Sequence, residues 1–332
     1  MRIVYVVESL ELSGGVKVIV EHAEGLAARG HDVVIVTKDA RHDWLPIRVP
    51  VVPVSEFSAA TLPEADVHVA TWFPTVVPTV RAGRAKKLFH FSQGYEAPHP
   101  HMRGRLSEIE EAYRQPVPKL LVSRHLLRDL EGRYPGPFHV LSQAIPARDF
   151  QPPGPDPTGP RQPATVGVIG PFLAVKKGID VALRAVARLR SEGRVLLLHR
   201  ASHMPQVEAE NAITPCEAYG WRRPASEMPA WYHALDLLLH PSYDAEGFPL
   251  PPLEAMASGV PVVITDIPSY APIPRDAATF VTPGDDAALA REAARLLDDE
   301  ALWRARRRRG LEVASTFTLA PVLDGLEAIF RS

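Results

Sequence analysis

The sequence predicts an α/β chain folded as two doubly wound, Rossmann-like domains facing a central cleft. Three observations predict it. The chain has 332 residues, too many for one core at ~100–200 residues per domain. Short apolar runs alternate with helical stretches along nearly the whole length, as parallel sheets with crossover helices require. A stretch with prolines at 152, 153, 155, 157, 160 and 163 separates two such series of similar size. That proline density excludes both a helix and a central strand.

The first series opens with Ile3–Val7, an apolar run of the kind a buried parallel strand needs. Ser13-Gly14-Gly15 then leads into a helix from Val16 to Arg29, whose apolar positions recur at spacings of three or four, and Gly30 stops it. Val33–Val36 reads as the second strand. Further strands are expected near 49–54, 67–70, 87–91, 120–122 and 138–141, with a helix from His125 to Tyr134. The second series runs strand 165–170, helix 177–191, strand 194–199, helix 227–234, strand 236–240, helix 253–258, strand 261–265 and helix 287–297. An amphipathic tail follows from Thr318 to Phe330. The expected divisions are an N-terminal domain 1–150, a semi-rigid linker 151–163, a C-terminal domain 164–316 and a terminal helix 317–332.

Composition narrows the function. Hydrophobic residues make up 46% and charged residues 23%, the balance of a folded globular chain. The net charge of −2 does not point to nucleic acid. It conceals an asymmetry: residues 81–133 hold 11 basic and 6 acidic side chains, whereas 1–80 hold 6 and 10. The basic stretch is a candidate for an anionic acceptor or a peripheral contact with an anionic bilayer, against scattered surface charge as the plain alternative. Arg304 and Arg306–Arg309 are expected on a solvated helix face. The single cysteine, Cys216, excludes an internal disulfide and a multi-cysteine metal site. No apolar run approaches ~18 residues, so no spanning helix is expected. With no signal-like apolar core near Met1, the expected compartment is the cytoplasm, with membrane association through 81–133.

Five segments carry chemistry. In Glu246–Val263, two carboxylates stand eight positions apart, on a loop and on the helix after it. Carboxylates accept from hydroxyls, and amides at a helix start suit a diphosphate. The plain alternative is a solvated loop acid and a charge complementing the helix dipole. Gly170–Gly178 follows a strand and precedes a helix, with Lys176 and Lys177 as candidate charges for a leaving diphosphate. Ser13-Gly14-Gly15 lets the backbone approach a ligand closely, or is only a turn. After strand 87–91, Gln93 is preferred over His90 as the group at the cleft edge, because it lies beyond the apolar run. Tyr219–Arg222 is expected to be an aromatic-rich loop, or plain core. No Asp-x-Asp occurs and no His/Cys/Asp cluster has metal-ligand spacing, so no metal and no cofactor are expected.

The run Glu246-Gly-Phe-Pro-Leu-Pro-Pro-Leu-Glu254 through Val263 resembles the E-x7-E signature of retaining glycosyltransferases of the GT-B fold, family 4, with bacterial polysaccharide and rhamnosyltransferase-like members. The resemblance extends over nearly the whole chain, from the Gly-Gly loop and Arg29–Val33 to Val122-Ser123, His240-Pro241-Ser242 and the terminal helix. It implies that Glu246 contacts the transferred sugar and Glu254 the nucleotide ribose, that the loop 219–222 with Trp221 lines the nucleobase, and that Gln93 stands near the reaction centre as a catalytic group. Gly247, Phe248, Pro249 and Leu250 would meet sugar and diphosphate, beside Gly170, Gly15 and Lys177. The acceptor is then a hydroxyl on a saccharide or lipid-linked saccharide, and the terminal helix packs back on the N-terminal domain. One departure stands out: Gly170-Pro171 replaces the family's Gly-Arg. Proline cannot bind diphosphate, so Lys176 or Arg200 substitutes, or the chain is a catalytically weak or inactive nucleotide-sugar-binding relative.

Overall fold

A computed structural model describes residues 1–243 and 247–332 of the chain. Glu246, the first carboxylate of the paired motif, lies outside the described residues. The chain divides into two compact units, Met1–Ala144 with Leu319–Ser332, and Ile145–Thr318.

The first unit is a seven-stranded sheet: β1 (Arg2–Ser9), β2 (Asp32–Asp39), β3 (Val51–Pro53), β4 (Ala65–Ala70), β5 (Ala85–Ser92), β6 (Lys119–Leu121) and β7 (Phe138–Val140). All its pairings are parallel, in the order β3-β2-β1-β4-β5-β6-β7. Helices α1 (Gly14–Ala28), α2 (Phe73–Ala82), α3 (Leu106–Arg114) and α4 (Arg124–Leu130) supply crossovers. Ile3 to Val7 are buried without a polar interruption, because β1 is central and covered on both faces. Ser13 caps α1 by accepting from the Val16 N–H at 3.1 Å, and Gly30 leaves it at φ +88°.

The second unit is a six-stranded parallel sheet: β8 (Ala164–Ile169), β9 (Leu196–Ser202), β10 (Ala218–Trp221), β11 (Leu237–His240), β12 (Val262–Thr265) and β13 (Thr279–Val281). Its order is β10-β9-β8-β11-β12-β13. Its helices are α5 (Ile179–Ser191), α6 (Glu208–Ile213), α7 (Met228–His233), α8 (Leu250–Ala257), α9 (Asp286–Asp298) and α10 (Glu300–Ala314). In both sheets the order reverses beside the first strand of the unit, between β1 and β4 and between β8 and β11. The carboxyl ends of such strand pairs are where doubly wound sheets bind ligands.

The units differ from the expected divisions. The chain enters the second unit at Ile145, before the prolines, because Ile145 and Phe150 are core residues there. The Phe150 ring lies 5.7 Å from that of Tyr232. The proline segment is fastened to the same unit rather than spanning between domains. Arg161 binds Asp236 at 3.0 Å, and Asp156 binds Arg307 at 3.0 Å. Arg307 is also a correction to the solvated arginine face: it is buried and donates to the Gly259 carbonyl at 2.6 Å.

The last helix, α11 (Leu319–Arg331), belongs to the first unit. Gly25 of α1 makes room for it, since a Cβ there would stand 2.7 Å from Leu323 Cδ1. Arg29 binds Asp324 at 2.7 Å, His31 binds Glu327 at 2.7 Å, and Lys87 donates to the Phe330 carbonyl at 3.1 Å. By length and composition alone, the stretch 300–331 is apolar enough to cross a membrane. That stretch comprises two helices separated by residues 315–318, and Val322, Leu323, Leu326 and Phe330 are buried.

Candidate functional site

In the second unit, the two loops leaving β8 and β11 meet at the point where strand order reverses. Gly170 ends β8 at φ +127°, a conformation that suits glycine, and its N–H donates to Ala201 O at 2.9 Å. The chain then turns through Pro171–Ala174 into a short 3-10 segment carrying Lys176 and Lys177, both partly exposed. Gly178 follows at φ +61°, and a Cβ there would overlap the Pro241 carbonyl. The Tyr243 N–H donates to the Lys176 carbonyl at 2.8 Å. Backbone contact therefore locks the lysine loop to the loop after β11. The sequence marked both loops separately, and the structure brings them together.

The β11 loop continues into α8. Phe248 packs its ring 5.9 Å from Phe317, and its carbonyl accepts from Leu250. Pro249 is buried and its carbonyl accepts from Leu253, which begins the helix. Gly247 and Leu250 are partly exposed beside them. Glu254 is the fifth residue of α8 and is only 8% exposed, so it stands past the first turn, where a charge would complement the helix dipole. Tyr232, fully buried on α7, donates to Glu254 Oε2 at 3.0 Å. Burial, and then the negative Glu254, hold the Tyr232 phenol far above its ordinary range, so it remains a donor. Tyr232 lay beyond sequence reasoning, for no spacing links it to Glu254. Beneath this loop, His240 Nδ1 and the Tyr270 hydroxyl lie 2.5 Å apart, and Thr265 donates to the Ser242 carbonyl.

Two expectations for this unit change. Arg200 is 1% exposed, and its guanidinium is consumed internally. It binds Glu210 at 2.7 Å, Val168 O at 2.9 Å and Gly170 O at 3.1 Å. It therefore supports the Gly170 turn from beneath and does not stand in for the missing arginine. Residues 219–221 form the edge strand β10 rather than a loop. Trp221, at its carboxyl end, is 59% exposed. With ~4.8 Å between strands, it lies about 10 Å from β8 along the same edge.

In the first unit, the exits of β1 and β5 meet. The Gln93 Nε2 donates to the Gly15 carbonyl at 3.1 Å, and a Cβ on Gly15 would overlap Gln93 Oε1. Gly15 thus lets the amide lie against the start of α1. His90 is 1% exposed, stacked edge-on to Tyr113 at 4.8 Å. Burial, and then the nearby Lys119 charge, push it down to about 3. It is a core histidine, and Gln93 is the group on the rim. Among the described residues, no group of three or more His, Cys, Asp or Glu is placed to hold a metal.

The basic stretch 81–133 is mostly neutralised. Arg81, Arg84, Lys86, Arg105, Arg114 and Arg133 pair with carboxylates. Lys119 is buried against three carbonyls. Arg103, Arg124 and Arg128 are exposed, and none of the three has a carboxylate partner among the described residues.

Fold and site together define a two-domain α/β chain of the GT-B type, with its loops gathered at the carboxyl edges of two parallel sheets. Residues 163–299, which contain the β8 and β11 loops and Glu254, match the family model of group 1 glycosyl transferases. Over 112 residues the chain is 33% identical to the lipopolysaccharide core biosynthesis mannosyltransferase LpsB of Rhizobium meliloti, covering 32% of each chain. Over 184 residues it is 29% identical to a D-inositol 3-phosphate glycosyltransferase of Salinispora arenicola, covering 50% of this chain and 40% of the other. These matches thus span about a third to two-fifths of the relatives' length. A crystal structure of Anabaena Alr3699/HepE in complex with UDP-glucose superposes over all of both chains, with a TM-score of 0.77 and 15% identity.

Proposed function

We propose that this protein is a retaining glycosyltransferase that moves a sugar from a nucleotide-diphosphate donor to a hydroxyl acceptor in cell-surface polysaccharide or glycoconjugate synthesis, in the cytoplasm. One observation carries the reading: the Lys176–Lys177 loop and the loop leading to Glu254 are joined by the Tyr243–Lys176 hydrogen bond at the strand-order reversal of the second unit. The UDP-glucose named for the structural neighbour, and the mannosyltransferase named among the relatives, agree with a nucleotide-sugar donor.

The chemistry follows from the parts. Breaking the anomeric C–O bond leaves negative charge on the departing diphosphate and an oxocarbenium-like sugar. Lys177 and backbone amides near Gly170 and Gly247 stabilise that charge as it develops, without a metal, and that difference lowers the barrier. Glu254, held by Tyr232, accepts from the ribose hydroxyls. Trp221 offers an aromatic face to the base. Glu246 serves the transferred sugar. Gly15 lies beside the donor phosphate, and Gln93 serves the reaction centre, where the acceptor hydroxyl attacks from the face the diphosphate leaves. Arg103, Arg124 and Arg128 remain for an anionic acceptor, such as a lipid-linked saccharide, or for a bilayer surface.

A second reading, a nucleotide-sugar binder with weak catalysis, is favoured by Pro171 together with the internal engagement of Arg200. A thermal-shift screen of UDP, GDP, dTDP and ADP sugars, followed by donor-consumption assays, separates the two. A ligand that binds the folded state raises the melting point. Binding and consumption support the transferase, and binding without consumption supports the second reading. Neither binding nor consumption rejects both.

A further inference from the structure

We propose that Tyr113 is a positioning residue for the reaction centre, its hydroxyl clamping the loop 92–96 so that the Gln93 amide stays on the rim of the first unit. The inference rests on the reading of Gln93 as a group at the reaction centre. Tyr113 lies near the end of α3 and is fully buried. Its hydroxyl is 2.8 Å from the Gly94 carbonyl, 2.9 Å from Ser92 Oγ and 3.1 Å from Glu96 Oε2. All three partners come from the five residues centred on the Gln93-Gly94 segment. The opposite tether is the bond from Gln93 Nε2 to the Gly15 carbonyl at 3.1 Å.

The proton count closes. The Ser92 hydroxyl donates to Gly94 O or to the phenol oxygen, while the phenol donates to Gly94 O or Glu96. Desolvation, and then the negative Glu96, raise the Tyr113 phenol well above its ordinary range, so the donor is never lost by ionisation. The ring cannot swing away, because His90, Tyr95 and Tyr134 stand 4.8, 5.2 and 5.3 Å from it. Phenylalanine would fill the same space without placing a hydroxyl in a buried site, where an unbonded polar group is costly. That hydroxyl's partners all lie on the loop that carries Gln93.

The test is Tyr113→Phe, with Ile109→Val as the packing control on the same helix. Ile109 is fully buried on α3, and its side chain carries no hydrogen-bonding group. Without the clamp, kcat is expected to fall about tenfold or more while the donor KM changes by less than about threefold, the signature of lost orientation rather than lost binding. Amide hydrogen exchange should quicken in 92–96 and stay unchanged in β1 and β2. Ile109→Val should keep kcat within about twofold. Should Tyr113→Phe not fold, Ser92→Ala, which removes one partner, is expected to quicken exchange in the same segment. Unchanged exchange in 92–96, an unchanged kcat, or an equal kcat loss in Ile109→Val overturns the inference. A wild-type chain that consumes no donor overturns the reading of function instead. The exchange measurement still decides the clamp in that case.

Discussion

Replacing Gly15 with alanine separates the stability of the first unit from its chemistry. The new Cβ overlaps Gln93 Oε1, so the amide must swing away and give up its bond to the Gly15 carbonyl. A neutral hydrogen bond of this kind contributes ~0.5–1.5 kcal/mol net. Against that, alanine in place of glycine stabilises a helix by roughly 0.5–1 kcal/mol, and Gly15 is the second residue of α1. The two nearly cancel, so the expected stability change is within about 1 kcal/mol. For a unit of this size that is a Tm shift of roughly 2–4 °C. The displaced atom is the far end of a flexible side chain, which makes the movement itself inexpensive. The effect on transfer should be much larger, because a reacting group misplaced by about 1 Å costs ~10²-fold in rate. The assay is a melting curve beside steady-state donor consumption. A near-native Tm with activity down ~30–100-fold agrees with Gln93 at the reaction centre. Near-native activity in a variant whose amide has moved refutes the role given to Gln93.

Three further outcomes are expected. Glu254→Gln should weaken nucleotide binding about 10–100-fold by calorimetry, since hydrogen bonds to a charged group contribute ~1.5–3 kcal/mol, and binding within twofold of wild type would remove Glu254 from the ribose site. Arg200→Met should destabilise the second unit by about 3–5 kcal/mol in denaturant melts, because Glu210 is left buried and uncompensated, and adding Glu210→Leu should restore most of it. Stability should fall on acidification. His90 is held down to about 3 and His22 to about 4, chiefly by burial. Both bind a proton in the unfolded chain below ~6.5 but not yet in the folded one. Their contribution is therefore present above pH ~6.5 and is lost as pH falls toward 4. At pH 5 each histidine should cost about 2 kcal/mol relative to pH 7. Denaturation at both pH values checks this, and equal stability would contradict it.

Much of this architecture was legible because it is written in local pattern. The uninterrupted run Ile3–Val7 announced a central parallel strand. The segment Gly170–Gly178 announced a loop between a strand and a helix, and only the structure shows that Gly170 and Gly178 take conformations that favour glycine. What stayed hidden depended on contacts distant in sequence. Helix α2 carries Pro74 and Pro78, which broke the helical signal, although the first sits where its missing N–H has no partner anyway. The proline stretch after 150 resembled a linker because composition cannot show that Arg161 and Asp156 tie it to one unit. Arg200 was assigned to a ligand because a sequence shows a charge but not the Glu210 carboxylate ten residues on that consumes it. The Tyr232–Glu254 pair and the Tyr113 clamp join separate helices and loops, and no spacing rule reaches them.

Under the proposed function, the joined loops of the second unit hold a nucleotide sugar and release its diphosphate. The most direct test is to mix the purified chain with the donor selected by thermal shift and a hydroxyl acceptor, and to follow both free nucleoside diphosphate and the anomeric signal of the product by NMR. Stoichiometric release of diphosphate is expected, with a product that keeps the donor's anomeric configuration, both lost in Lys177→Ala. Product of inverted configuration would contradict the retaining mechanism. Release undiminished in Lys177→Ala would contradict the site itself.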